Sequence, residues 1–580
     1  MTKKYQYTTI ATTITFGILS FLFFAFAYPH HIHLQEQLQL FRFGADYLCT
    51  SLAVPGGLAD WLSGFFTQFF IFSWAGALVI SLLLVALQLL AGRRMGGAEC
   101  PLYPLSFLPS LAAFAFFADE NALLSGLIAI LLGVCTADLI DKIGKTAVRI
   151  ALIIALTPAL YWLLGGISLV FVLCAIIDLA GRADVSAAAK WGTAAASLAI
   201  LIALPLMLQQ SLTYPLVRLM AGIHYHRYHY AIPVLIWAAA LLVPACQLLS
   251  AVKLNYKAAR IAGPVLLAAV LCCQCAIPAI TADFQKEEMF KYDYLVRERQ
   301  WNKILKLAKA KPPQTPITVE CTNLALLASG KLCSDMFTYF QNGPAGLLPE
   351  FTRDHFSPIP TGEVYYHLGM VSTAQTFFFE AQEGIPDFQK SARLYKSLAK
   401  TNLINEDYEV ARKYVNALKQ TIFYRKWALE TEKLLDDPSM ISSNQEYARM
   451  RAFRMTSQDY MFSQEEMDSM LGLQYLENRN NSAALDCLLA WCMLRKDLNR
   501  FAECITLKET GLEARALQEA FILFWASTHD GPNGIPQFVG QNNISRFVSF
   551  ISDLQGGKDQ AFMQRKYAGT YWYYYYFMFK

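Results

Sequence analysis

The chain has 580 residues, 55% of them hydrophobic and only 16% charged, with a formal net charge of +4. It is too apolar for an ordinary soluble protein or a disordered chain, and it lacks the basic block of a nucleic-acid binder, so no nucleic-acid partner is expected. The averages conceal two halves: residues 1–283 carry 15 Lys+Arg and 11 Asp+Glu, about 9% charged, whereas residues 284–580 carry 34 of each, about 23%. The pattern predicts an all-α protein, with a polytopic transmembrane domain over 1–283 followed by a soluble α-helical repeat domain over 284–580.

Nine apolar runs approach the length that crosses about 30 Å of hydrocarbon at 1.5 Å per residue. They fall at about 8–28, 66–91, 102–118, 121–139, 147–164, 166–180, 193–209, 231–251 and 262–281. Short connections at Ala118-Asp119-Glu120-Asn121 and Gly165-Gly166 predict helical hairpins. Ala25-Phe26-Ala27 imitates a signal-peptidase site, but the preceding run is longer than a signal core, so the first helix is expected to stay uncleaved.

Basic residues orient these spans, because Lys and Arg accumulate in short cytoplasmic loops. With the N-terminus cytoplasmic, the inner segments carry Lys3, Lys4, Arg93, Arg94, Lys142, Lys145, Arg149, Arg182, Lys190, Lys253, Lys257 and Arg260. The outer segments then carry Arg42, Arg218 and Arg227. Nine crossings put the second half outside the cytoplasm; an even count would return it inside, and 166–180, which contains Asp178, is the weakest run. The 13 cysteines show no metal-binding CxxC pairs and no disulfide framework.

In the second half, apolar positions recur at helical spacing between short turns. Tyr292, Leu295, Ile304, Leu305 and Ala308 make one helix pair, ended by Pro312-Pro313, and Leu324, Leu327, Leu332, Met336 and Phe340 make another. The clearest units run from Phe388 to Gln420, with a turn at Thr401 to Glu406, and from Ala483 to Leu512, with a turn at Asn499. They resemble tetratricopeptide helix pairs, which stack into a solenoid. Residues 341–363 hold too many Pro and Gly for a helix and predict a long loop. The aromatic tail Tyr571 to Phe579 is expected to pack against the last helices.

Ionisable groups in the outer loops are the functional candidates, since charge beside hydrocarbon is costly. In the long loop after span one, Leu34, Leu38, Phe41 and Ala45 recur at i, i+4, i+7 and i+11, which predicts an amphipathic helix on the membrane surface, bearing Glu36, Arg42 and Asp46. Asp60 lies near the start of span two. Asp119-Glu120 occupies the turn before span four, where capping of the helix N-terminus is the simplest role. The loop after span seven adds Arg218, His224, His226, Arg227 and His229. The spacing of the histidines points their rings apart on a helix, which favours interfacial polar groups over a metal centre.

This loop order resembles that of C-type membrane glycosyltransferases, which place one catalytic acidic residue in the first outer loop and an acidic pair between spans three and four. Some also append extracytoplasmic tetratricopeptide repeats. The likeness covers about residues 1–140 and implies transfer of sugar from a polyprenyl-phosphate carrier. It implies a base at Asp46 or Glu36, acceptor or divalent-metal positioning at Asp119 and Glu120, and substrate binding by Arg42, Arg218, Arg227, His224 and His226. The whole chain also resembles an uncharacterised bacterial membrane-protein family with C-terminal helical repeats, which implies an inner-membrane location and a periplasmic second half. The alternative expectation is a non-enzymatic scaffold that assembles envelope complexes by binding proteins through its repeats. A transporter fits less well, because no pair of broken helices is evident.

Overall fold

A computed structural model describes residues 3–97, 100, 102–228, 232–250, 256–456, 466–529, 531 and 534–578. Among these residues the regular elements are helical, and the only β-type feature is an isolated antiparallel bridge between Ala122 and His226. The chain divides into two compact units. Unit 1 is Met1–Glu287 together with Pro386–Ala392 and Gln420–Arg425; unit 2 is Glu288–Ile385, Arg393–Lys419 and Lys426–Lys580.

Unit 1 begins with α1 (Lys3–Leu22), α2 (Pro29–Gln37), α3 (Ala45–Leu52), α4 (Gly57–Thr67), α5 (Ser73–Arg94), α6 (Leu108–Phe116) and α7 (Leu124–Asp141). It continues with α8 (Thr146–Leu164), α9 (Leu169–Ala180), α10 (Ala187–Leu208), α11 (Leu216–Ala221), α12 (Val234–Leu249) and α13 (Tyr256–Ala276). Among the described residues, six helices are long and apolar enough to cross a membrane: Tyr7–Ala27, Ser73–Arg94, Leu124–Asp141, Thr146–Leu164, Ala187–Leu208 and Ala262–Thr281. The other three expected spans fall on shorter apolar helices, Tyr103–Phe116, Gly166–Ala180 and Val234–Leu249. At 1.5 Å per residue these fall short of the hydrocarbon thickness; the expected runs 102–118 and 231–251 overran their helices by a few residues, while 166–180 matches its helix.

The core of unit 1 is apolar, with Leu84, Phe107, Phe114, Leu127, Val134 and Phe171 at its centre. Buried Gln88 ties three elements: it accepts from Thr13 Oγ1 (3.1 Å) and donates to Tyr103 Oη (3.1 Å) and Ser106 Oγ (3.0 Å). At one end, buried Arg94 of α5 pairs with Asp138 of α7 (2.6 Å) and Asp178 of α9 (2.5 Å), while Gln247 of α12 donates to Asp178 (2.6 Å). Loops and short helices gather at the opposite end. The flanks of α10 and α13 leave Trp191, Ile202, Met207 and Val265 exposed.

The loop after α1 differs from the single surface helix its periodicity suggests. α2 ends at Gln37, residues 38–44 are not helical, and α3 starts again at Ala45. Residues His31 to Gln37 are all buried. The intervening chain bonds other backbone instead: Phe43 N–H donates to Gln420 O (2.8 Å), and Ala392 N–H donates to Gln39 O (3.1 Å). Leu38 and Phe41 are apolar because they are enclosed there.

Unit 2 is built from helix pairs joined by one recurring turn. Helices Phe284–Arg297, Pro316–Ala328, Pro358–His367, Ala392–Ile404 and Ser482–Leu494 each end two residues before a left-handed residue: Arg299, Gly330, Gly369, Glu406 and Lys496. The residue after each donates its N–H to the carbonyl five positions back: Gln300 to Leu295, Lys331 to Leu326, Met370 to Tyr365, Asp407 to Asn402 and Asp497 to Cys492, at 2.8–3.0 Å. This is the Schellman closure, and the next helix starts two residues after the left-handed one each time. The breaker-rich stretch 341–363 is only partly loop, because Pro358 and Pro360 sit in the first turn of Pro358–His367, where a missing N–H costs nothing. The aromatic tail forms helix Tyr571–Phe577, with Tyr571 to Tyr574 buried and Trp572 Nε1 donating to Glu519 O (2.8 Å). The 13 cysteines are all free thiols.

Candidate functional site

The sequence-selected groups of the first two thirds of unit 1 converge on its loop-rich end. The turn before α7 and the chain after α11 are laced together: Arg227 N–H donates to Asn121 O (2.9 Å), Leu123 N–H donates to Tyr225 O (3.3 Å), and Ser125 Oγ donates to His224 O. Gly222 makes the approach possible, since its φ is +106° and a Cβ there would stand 2.0 Å from the Tyr225 ring. α2 joins the same assembly through Gln35 Nε2, which donates to Asp119 O (3.3 Å).

α2 has no side-chain cap of its own, and Glu287 supplies one. Its carboxylate accepts from His30 N–H (2.9 Å) and His31 N–H (3.1 Å) and lies 2.7 Å from His31 Nδ1. On the other side of the ring, His31 Nε2 is 2.8 Å from Tyr28 Oη and 3.8 Å from Glu120 Oε2. Glu120 is in turn engaged by Lys286 Nζ at 2.7 Å. Glu120 therefore sits within a network of charged and polar side chains.

Asp119 accepts from Asn121 N–H (2.8 Å) and faces His226 Nε2 at 3.1 Å. Since His226 Nδ1 accepts from Tyr228 N–H (3.1 Å), the ring proton belongs on Nε2, directed at Asp119. Burial alone would raise the Asp119 pKa, but the hydrogen bonds from His226 and Asn121 outweigh it and hold the carboxyl below its ordinary range. Asp119 does not cap α7: the N-cap is Leu123, with no side-chain bond.

The remaining candidates divide. Arg218 is spoken for, with Nη1 and Nη2 each 2.7 Å from an Asp387 oxygen and a further bond to Ile223 O. Glu36 is buried and accepts from Tyr424 Oη (3.1 Å), beside a cavity of about 10 Å³ lined by Gln39, Phe41, Gln68 and Thr421, room for about one water. Arg42 stacks its guanidinium 5.4 Å from the Tyr47 ring. Asp46 is exposed in the first turn of α3 and has no ionic partner among the described residues. His229 lies outside the described residues.

Two groups stand out by lacking an ionic partner among the described residues. Arg227 is 4% exposed, yet its guanidinium makes one hydrogen bond, from Nη1 to Leu38 O (2.8 Å), and pairs with no carboxylate among the described residues. Burial pulls its pKa down to about 10, against the attraction of Asp60, Asp119 and Glu120. Asp60, on the first turn of α4, forms no side-chain hydrogen bond among the described residues. Desolvation raises its pKa, with Asp387 adding to the shift and His224 and Arg227 opposing it. Sequence reasoning noted Asp60 but ranked Asp46 above it; the signal it lacked was that Asp60 is partly enclosed and Asp46 exposed. No three His, Cys, Asp or Glu side chains among the described residues form a metal-binding group.

The model of a family of unknown function, DUF6057, matches residues 3–578. No curated protein and no solved structure matches the chain. The likeness to C-type glycosyltransferases therefore rests on loop order and acidic residues alone.

Proposed function

The chain belongs to that family of unknown function, and from its geometry we propose a multi-pass membrane enzyme that transfers a sugar from a polyprenyl-phosphate-type carrier outside the cytoplasm. The observation that carries this reading is the electrostatic coupling between Asp60, whose pKa burial raises, and the buried guanidinium of Arg227, which pairs with no carboxylate among the described residues. Perturbed, unpartnered groups of opposite charge within electrostatic reach are characteristic of catalytic clefts. Asp60 is the base: it takes the proton of the acceptor hydroxyl as that oxygen bonds to the anomeric carbon. The bond from that carbon to the carrier phosphate breaks, the phosphate leaves with the electron pair, and Arg227 offsets its charge. Asp119 and Glu120 position the acceptor through the His226 and Lys286 networks. Asp46, exposed and unpartnered, is the weaker candidate for the base.

The membrane assignment is supported by the apolar side chains exposed along α10 and α13, which in water would be a large uncovered apolar surface. The gathering of Arg93, Arg94, Arg149 and Arg182 at the end opposite the loop-rich one supports a cytoplasmic N-terminus. If the three shorter apolar helices also cross, nine spans put unit 2 in the periplasm of a bacterial inner membrane, whereas the six long helices alone would return it to the cytoplasm.

The test replaces Asp60→Asn, Arg227→Gln and Asp46→Asn singly in the native host and profiles surface glycans. Loss of a glycan in the first two but not the third is expected. Unchanged glycans in an Asp60→Asn strain that still makes the protein overturn the enzyme. The five identical Schellman turns favour a second reading, a scaffold with tetratricopeptide-like repeats that assembles envelope complexes. For that reading, loss of co-purifying envelope proteins on deletion of a helix pair, with glycans intact, is the discriminating result.

A further inference from the structure

Unit 2 gathers Arg297, Arg299, Lys396, Lys400 and Arg449 around Glu446 and Glu298, and two of these cations, Lys396 and Arg449, form no ion pair among the described residues. Glu446, on the first turn of Gln445–Phe453, receives three donors on one oxygen: Arg299 Nη2 at 2.6 Å, Lys400 Nζ at 2.9 Å and Tyr366 Oη at 2.8 Å. Burial opposes ionisation of Glu446, but Lys400 and Arg299 outweigh it and hold its carboxyl far below the usual range. One oxygen, Oε1, takes all three of these contacts. Lys396 lies one helical turn before Lys400, its ammonium 5.3 Å from the Trp427 ring, with no carboxylate in ion-pairing distance among the described residues. Burial, then the like charges of Lys400 and Arg297, push its pKa below that of an ordinary lysine. Arg449, exposed one turn beyond Glu446, also has no ionic partner among the described residues.

We propose that this face of unit 2 binds an acidic peptide segment, whose carboxylates pair with Lys396 and Arg449 and whose intervening side chains lie on the Trp427 ring. Opposite charge supplied from outside relieves the mutual repulsion of the cations, which the fold itself leaves in place. The two uncompensated cations stand on different helices, and Arg449 is open to solvent. Spaced carboxylates on an extended chain match that arrangement better than a compact phosphate, which is held by donors converging on one point. The proposal stands apart from the sugar-transfer reading, since none of these residues belongs to unit 1.

The test uses the full chain in detergent and a fluorescein-labelled oligoglutamate peptide, with oligoglutamine as the uncharged control. Oligoglutamate binds, binding weakens with salt, and the double variant Lys396→Gln, Arg449→Gln weakens it by about tenfold or more. Lys396→Arg keeps most of the affinity, which separates loss of charge from loss of fold. Lys311→Gln, at an exposed ion pair with Glu288, leaves binding unchanged. No preference for oligoglutamate, an unchanged affinity in the double variant, or displacement by pyrophosphate at equal concentration of charge would each overturn the proposal.

Discussion

Arg218 and Asp387 form a fork-to-fork ion pair, both contacts 2.7 Å, between residues 169 positions apart in the chain. Asp387 reaches it from a left-handed backbone conformation, φ 58° and ψ 31°, within Pro386–Ala392, a segment that belongs to unit 1 although it lies deep in the second half of the sequence. Both side chains are largely buried, so removing one partner strands the other charge. Asp387→Ala is expected to cost about 3 kcal/mol, whereas the double replacement Arg218→Leu, Asp387→Leu recovers most of that. The measurement is thermal loss of the monodisperse protein in detergent; a double variant no more stable than Asp387→Ala would refute a buried ion pair.

Asp60 gives a prediction in which stability and function move in opposite directions. Its folded-state pKa is raised, so over the range above its ordinary value of 3.8 the folded chain holds the proton more tightly than the unfolded chain, and ionisation works against folding as pH rises. Asp60→Asn removes that penalty. The variant is expected to melt at the same temperature as the parent near pH 4 and higher than the parent at pH 8, while losing the surface glycan. A residue of purely structural use would lose stability with the glycan.

How much of this was legible follows from how far apart the partners lie. The long helices α5, α7, α8 and α10 were readable because a run of apolar residues is a local property. Gly166–Ala180 was readable with its bounds, because Gly165, whose φ is +78°, marks the break locally. The amphipathic reading of residues 34–45 failed because Leu38 and Phe41 are apolar for burial by distant chain, not by a continuous helix. Glu36 with Tyr424, and Arg218 with Asp387, pair across more than a hundred residues, so nothing local marks them. Asp119 and Glu120 were found because they interrupt apolar runs, and His226 was named as well, but neither its pairing with Asp119 nor that of Lys286 with Glu120 was legible. Turns at Gly330 and Gly369 carry their signal in the glycine, while the same turn at Arg299, Glu406 and Lys496 carries none.

Glu320, fully buried in unit 2, predicts a pH dependence of that unit's stability. Burial raises its pKa from 4.5 to about 8, with Asp293 adding to the shift and the Thr361 hydroxyl opposing it. Between those values the folded state binds the proton and the unfolded state releases it, so stability is greatest below pH 4.5 on this account and falls as pH rises toward 8. Glu320→Gln keeps the shape and the neutral form. It is expected to raise the melting temperature of unit 2 at pH 8 and leave it unchanged near pH 4. An equal shift at both pH values would show that the effect is packing rather than ionisation.

The recurring turn of unit 2 predicts substitutions of opposite sign at equivalent positions. At Gly330 the backbone is left-handed, φ +66°, and a Cβ would meet nothing within 4 Å. Gly330→Ala therefore isolates the backbone penalty and should destabilise by about 1 kcal/mol. At Gly369, φ +80°, a Cβ would stand 2.5 Å from the Phe453 Cβ, so Gly369→Ala adds a clash and costs more. Glu406 occupies the same place with φ 73° and already carries the penalty. Its side chain contributes only a half-exposed ion pair with Arg454 at 3.1 Å, worth a few tenths of a kcal/mol. Glu406→Gly should thus stabilise by about 0.5 kcal/mol, with the released strain exceeding the lost pair. Urea unfolding of the full chain, followed by tryptophan fluorescence, checks all three. A Glu406→Gly variant that unfolds at lower urea than its parent would contradict the left-handed turn on which the equivalence of the helix pairs rests.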